Sequence, residues 1–86
     1  MWEIKYKKHF NKKFKKLSPK IKNQFYDRLR IFKFNKFNPI LNNHSVDKEY
    51  PGCRSINVTG DCRAIFEDFG NKIVFLYIGI HSELYK

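Results

Sequence analysis

Apolar residues recur along this chain with two different periods. Residues 2–6 alternate, with Trp2, Ile4 and Tyr6 on one side and Glu3 and Lys5 on the other. A period of two marks a half-buried strand. From about Lys8 the spacing lengthens: Phe10, Phe14 and Leu17 stand four and three apart with lysines between them. That spacing predicts a short amphipathic helix with a narrow apolar stripe, too short to be stable unless it docks on something. Ser18-Pro19 then punctuates the pattern. A serine caps a helix, and proline suits the first helical position because its missing N–H had no partner there anyway. A second helix is therefore expected from Pro19, with Ile21, Phe25, Leu29 and Phe32 as its stripe, fading by about residues 34–36. The two helices form an αα-hairpin.

Asn38-Pro39 stops any helix, because a residue before proline is pushed out of the α region. Residues 37–52 read as a connector that carries Asn42, Asn43, His44, Ser45, Pro51 and Gly52. Connectors this long in small domains are often functional. Three strand-like runs follow, CRSINVTG, DCRAIFEDFG and NKIVFLYIGI, separated by Thr59-Gly60-Asp61 and by Gly70-Asn71. Short glycine-bearing turns favour antiparallel hairpins, so these runs predict a β-meander. The fold class expected is α+β in the order β-α-α-β-β-β: an N-terminal strand, the αα-hairpin, then the antiparallel meander, with the helices packed on one sheet face. The other face is left for function.

Length bounds this to one domain over residues 1–86. An apolar content of 42%, with nine Phe, supports a packed core despite the charge. Net charge is +10 and it is unevenly spread. Residues 1–36 hold thirteen of the eighteen Lys/Arg against Glu3 and Asp27, whereas residues 37–86 are close to neutral. A half-chain so basic implies a polyanionic partner, the plain alternative being a solvated lysine-rich surface. The longest apolar run, residues 73–80, is of strand length and falls short of the roughly 18–20 residues that span a bilayer. The start, MWEIKYKK, lacks the apolar stretch of a signal peptide, so a cytoplasmic protein with no membrane partner is expected. Cys53 and Cys62 are expected to remain thiols.

Candidate chemistry gathers late in the chain. His81 follows the most apolar strand, where its backbone is well anchored, and histidine is the usual general acid or base near neutral pH. Arg54 and Arg63 flank one turn. With a two-residue Thr59-Gly60 loop, Arg54 lies near Ile65 and Arg63 opposite Ile56, so the two are diagonal neighbours. Guanidinium groups so placed suit phosphate oxygens and the charge that builds at phosphorus; the alternative is a pair of strand-edge arginines bound to Glu67 or Asp68. Tyr85 either stacks on a base or covers the core. Asp61, His44 and Asn57 are weaker candidates, Asp61 as a turn residue and His44 as a loop histidine. No His, Cys and carboxylate cluster has metal-ligand spacing, and no glycine-rich phosphate loop is present, so neither a metal nor a small-molecule cofactor is expected.

The stretch YPGCRSINVTGDCRAIFED, followed by IVFLYIGIHSELY, resembles the RelE/ParE superfamily of bacterial toxins from type II toxin–antitoxin modules, and within it the YafQ-like mRNA interferases. The resemblance covers essentially the whole chain. It implies ribosome-dependent mRNA cleavage by a metal-independent endoribonuclease, held in check by a cognate acidic antitoxin. In YafQ-like members a histidine stands where His81 stands in G-x-H-S-x-L-Y, another at the place of His44, an acid at Asp61 and an aromatic at Tyr85. RelE-like members use basic residues around Arg54 and Arg63. The chain departs from the YafQ branch at Asn57, where that branch carries a catalytic histidine.

In this reading the 2′-OH of the mRNA attacks the adjacent phosphate, Arg54 and Arg63 stabilise the developing charge, and His81 moves protons with His44 or Asp61 as second group. Tyr85 and Ser82 contact RNA. Lys12, Lys13, Lys15, Lys16, Lys20 and Lys22 dock on ribosomal RNA or are masked by the antitoxin. Two alternatives stand beside it: a ParE-like DNA gyrase poison on the same fold, and a non-catalytic basic RNA- or DNA-binding module.

Overall fold

The computed structural model describes residues 3–85. Its elements are β1 (Glu3–Tyr6), α1 (Lys8–Lys15), α2 (Pro19–Phe34), a 3-10 turn (Pro39–Leu41), β2 (His44–Ser45), β3 (Cys53–Asn57), β4 (Cys62–Asp68), β5 (Lys72–Ile80) and α3 (His81–Leu84). The expected α+β order holds, with three additions. The connector contains the 3-10 turn and the short strand β2, and the polar tail is a helical turn, α3. Trp2, expected in the first strand, lies outside the described residues.

The five strands form one mixed sheet in the order β1-β5-β4-β3-β2. The meander pairs antiparallel, while β1 lies parallel to β5, Glu3 beside Lys72 and Tyr6 beside Phe75. Helix starts follow the punctuation. Ser18 Oγ accepts from the Ile21 N–H at 3.3 Å, and Pro19 opens α2. Asn38 repeats the device, its Oδ1 accepting from the Ile40 N–H at 3.0 Å ahead of Pro39.

One face of the sheet packs on α1 and α2. Phe10, Phe25, Leu29 and Phe32 meet Ile56, Ala64, Phe66, Ile73 and Phe75 there, all buried. The phenylalanines touch in series: the Phe10, Phe25, Phe32 and Phe66 rings all lie within 5.5–6.0 Å of the Phe75 ring. Burial of each contributes roughly 1.5–3 kcal/mol, which explains how so small and charged a chain holds a core. Opposite sits a smaller cluster, where Tyr50, Leu76, Tyr77, Leu84 and Tyr85 pack around Val46, Cys53 and Ile65.

A bulge in β5 sets up the second face. Ile65 pairs with Tyr77 and Phe66 with Phe75, so Leu76 is an extra residue. An inserted residue reverses the alternation beyond it. Leu76 and Tyr77 therefore both join the second cluster, and Gly79 faces α3 on the same side.

Candidate active site

The strand register assembles the site from residues far apart in sequence. Across β2 and β3, His44 stands opposite Ser55. One position further along the same face, Asn57 stands opposite Arg63, and Arg63 opposite Gly79. β5 ends at Ile80, so His81 begins α3 just past that row. His44, Glu49, Ser55, Arg63, His81 and Tyr85 line one cleft of about 460 Å³.

Each side chain is held by its local fold. The His44 Nδ1 lies 2.7 Å from the carbonyl oxygen of Asn42, whose left-handed backbone (φ 48°) turns the chain there. A carbonyl only accepts, so Nδ1 carries the proton in the neutral ring and Nε2 is left as the base. The Arg63 guanidinium is fixed by its own turn, Nη1 donating to the carbonyls of Thr59 at 3.1 Å and Gly60 at 3.0 Å.

α3 is tied down at three points. The Glu83 carboxylate accepts from the Ile80 N–H at 3.0 Å and pairs with Lys13 of α1, and the Tyr50 hydroxyl donates to the Leu84 carbonyl. A side chain at Gly79 would meet Glu83 Oε1 at 2.9 Å, so the bare glycine leaves room for this helix to close. The result is a fixed pair of rings, His81 and Tyr85, with centroids 4.6 Å apart. Burial pushes the Tyr85 phenol above its ordinary pKa, the Glu49 carboxylate and Tyr50 add to the rise, and Arg63 opposes it. Tyr85 is accordingly a neutral hydroxyl at physiological pH.

Three expected site residues do not line the cleft. Arg54 pairs with Phe66, not Ile65, and shares the helix-packed face. Its Nε donates to Asn43 Oδ1 at 2.7 Å and its guanidinium lies over the Phe37 ring. The cause is the turn: Thr59, Gly60 and Asp61 all lie in it, with the Val58 N–H bonded to the Cys62 carbonyl. One residue more than a two-residue loop shifts the register by one and moves Arg54 to the other face. Asp61 is exposed in that turn, its N–H 3.3 Å from Thr59 Oγ1, and does not line the cleft. Ser82 is exposed beside the cleft without lining it.

Among the proposed docking lysines, Lys12, Lys15, Lys16 and Lys20 are exposed, Lys22 is half-buried and Lys13 pairs with Glu83. The two thiols are free and lie on opposite faces. Burial raises the pKa of both, which opposes thiolate chemistry. Among the described residues, no group of three or more His, Cys, Asp or Glu side chains is placed to hold a metal ion.

Glu49 and Ser55 escaped the sequence. Glu49 sits in a turn whose Glu49 and Tyr50 N–H groups both bond to the Val46 carbonyl, an arrangement no periodicity announces. Ser55 had a signal, a serine on the alternate positions shared by Cys53 and Asn57, the face that Arg54 and Ile56 do not occupy.

Solved structures share this architecture. YafQ from E. coli strain BL21(DE3) is 19% identical with a TM-score of 0.83, the match covering 100% of both chains. YafQ in the E. coli DinJ–YafQ toxin–antitoxin complex is 20% identical, covering 99% of this chain and 98% of that one, with a TM-score of 0.77. The RelB–RelE antitoxin–toxin complex of Methanococcus jannaschii gives 20% identity, 94% of both chains and a TM-score of 0.74. The chain has the RelE/YafQ toxin fold. No family model and no curated relative matches it. On the RelE/YafQ fold, the cleft of this chain carries two histidines, one with a defined tautomer, and an anchored guanidinium. Those groups can accept a proton, return one, and neutralise negative charge between them.

Proposed function

We propose that the chain is the toxin of a type II toxin–antitoxin pair and cleaves mRNA on the ribosome. The observation that carries this reading is the convergence of His44, His81 and Arg63 on one cleft, with His44 Nδ1 committed to the Asn42 carbonyl. His44 Nε2 takes the proton of the ribose 2′-OH as that oxygen bonds to phosphorus. The P–O5′ bond breaks and protonated His81 returns a proton to the leaving oxygen. The products are a 2′,3′-cyclic phosphate and a 5′-OH, and atoms and charge balance with no co-reactant. Arg63 stabilises the negative charge that grows on the phosphoryl oxygens. Tyr85 offers its hydroxyl and the free part of its ring to a base, with Ser82 beside it.

The exposed lysines of α1 and the start of α2 dock on ribosomal RNA, which supplies affinity and salt dependence rather than sequence choice. An acidic antitoxin masks the same charge. YafQ with DinJ and RelE with RelB, both in antitoxin complexes, support such a partner. Ribosomes place the activity in the cytoplasm. A gyrase poison or a plain binding module on this fold has no use for the His44–Asn42 lock.

Induction of the chain beside its His81→Ala variant, scored by primer extension on cellular mRNA, tests the reading. Codon-phased cuts that depend on His81 are expected. Growth arrest with DNA damage and intact mRNA would favour a gyrase poison instead.

A further inference from the structure

The floor of the cleft holds a polar group that the fold leaves unanswered. Ser55 is 0% exposed, and its Oγ has no hydrogen-bond partner among the described residues. It lines the cleft and stands directly opposite His44. Two residues on and on the same face, Asn57 also buries its Oδ1 without a partner, opposite Arg63. A buried hydroxyl with no partner is costly, and alanine would fill this strand position without that cost. Orphaned polar atoms in a folded chain call for an explanation, and one at the floor of an open cleft is explained by a ligand.

The rows of the sheet say which ligand atom. Ser55 shares a row with His44, which takes the proton. Arg63 stands in the next row, about 6.6 Å along the strand, where it meets the phosphate charge. The atom that must sit between a proton acceptor and a phosphorus is the attacking ribose oxygen. A ribose hydroxyl both donates and accepts, so it can accept from Ser55 Oγ while giving its proton to His44 Nε2. We infer that Ser55 is a ribose-binding residue of this cleft, holding the 2′-oxygen beside the scissile phosphate against His44. This rests on the ribonuclease reading above and names the interaction by which the site distinguishes RNA from DNA.

Ser55→Ala is the decisive variant because its two effects differ in sign. Removing an unpaired buried hydroxyl leaves the thermal midpoint unchanged or raises it, whereas mRNA cleavage falls about tenfold or more in kcat/KM. Binding gives a second readout. In the His81→Ala chain, a four-nucleotide RNA is expected to bind about fivefold more tightly than its 2′-deoxy counterpart, the worth of one hydrogen bond. Adding Ser55→Ala removes that difference. The inference is overturned if Ser55→Ala cuts as fast as the parent, if its activity falls only in step with a lower thermal midpoint, or if the RNA–DNA difference is absent or survives the substitution. A chain that cuts no mRNA yet keeps a Ser55-dependent preference for RNA loses the proposed function and retains this hydrogen bond.

Discussion

Asn57 and Arg63 face each other across β3 and β4, which leaves Arg54, three residues earlier, on the opposite side of the sheet. The two arginines therefore do different work. Arg63→Ala is expected to lower mRNA cleavage about 100- to 1,000-fold, the usual cost of removing a donor aimed at developing charge. Arg54→Ala should retain cleavage chemistry and lose roughly 1–2 kcal/mol of stability, because it releases Asn43 and Phe37 from the sheet. Single-turnover cleavage and thermal melts of both variants check this, and equal loss of chemistry in the two would contradict the assignment.

His44 gives a prediction about the base. With Nδ1 bound to the Asn42 carbonyl, Nε2 is the nitrogen left to accept a proton. His44→Ala should lower single-turnover cleavage about 100- to 10,000-fold while leaving the thermal midpoint near the parent's. Undiminished cleavage in that variant would assign the base elsewhere.

Asp68 links stability to pH. Burial alone would raise its carboxyl pKa, but the hydrogen bond from Lys36 at 2.7 Å, the Gly70 N–H and the charges of Lys36 and Arg54 outweigh it and hold it below the ordinary value. A depressed folded pKa adds stability above the unfolded pKa of about 3.9, and that stability is lost as pH falls below it. Asp68→Asn should therefore cost roughly 1–2 kcal/mol at neutral pH, and the gap to the parent should close below about pH 4. Denaturant melts across pH measure it, and a gap constant down to about pH 3 would count against the linkage.

The lysines are testable through salt. Replacing Lys12, Lys15, Lys16 and Lys20 by glutamine should weaken ribosome association and reduce the slope of log affinity against log salt by about 0.7–0.9 for each phosphate no longer neutralised. A slope indifferent to all four would remove α1 and the start of α2 as the docking surface.

Much of the fold was legible because its signals are local. The Phe10–Phe14 stripe and the Ser18-Pro19 start act within a few residues, and the structure places both as read, while Leu17 falls just past the end of α1 and the first glycine-bearing turn is one residue longer than the two-residue loop expected. The parallel pairing of β1 with β5 was not legible, since it joins segments nearly seventy residues apart and no local pattern names the partner strand. The face of Arg54 was hidden by a single residue in the β3–β4 turn. α3 was hidden because its ties, Lys13 to Glu83 and Tyr50 to Leu84, come from elsewhere in the chain. At the site, residue types that do acid–base work drew attention to His44, His81 and Arg63, whereas Glu49 and Ser55 gain meaning only from the register and the turn that place them.

The most direct test uses reconstituted ribosomes carrying a defined mRNA, with the chemistry of the cut ends determined. The chain should cut the mRNA on the ribosome, leaving a 2′,3′-cyclic phosphate and a 5′-OH, and a single 2′-deoxy substitution at the cut position should abolish cleavage. Cleavage of that deoxy substrate at an undiminished rate, or His44→Ala and His81→Ala chains that cut as well as the parent, would contradict the account.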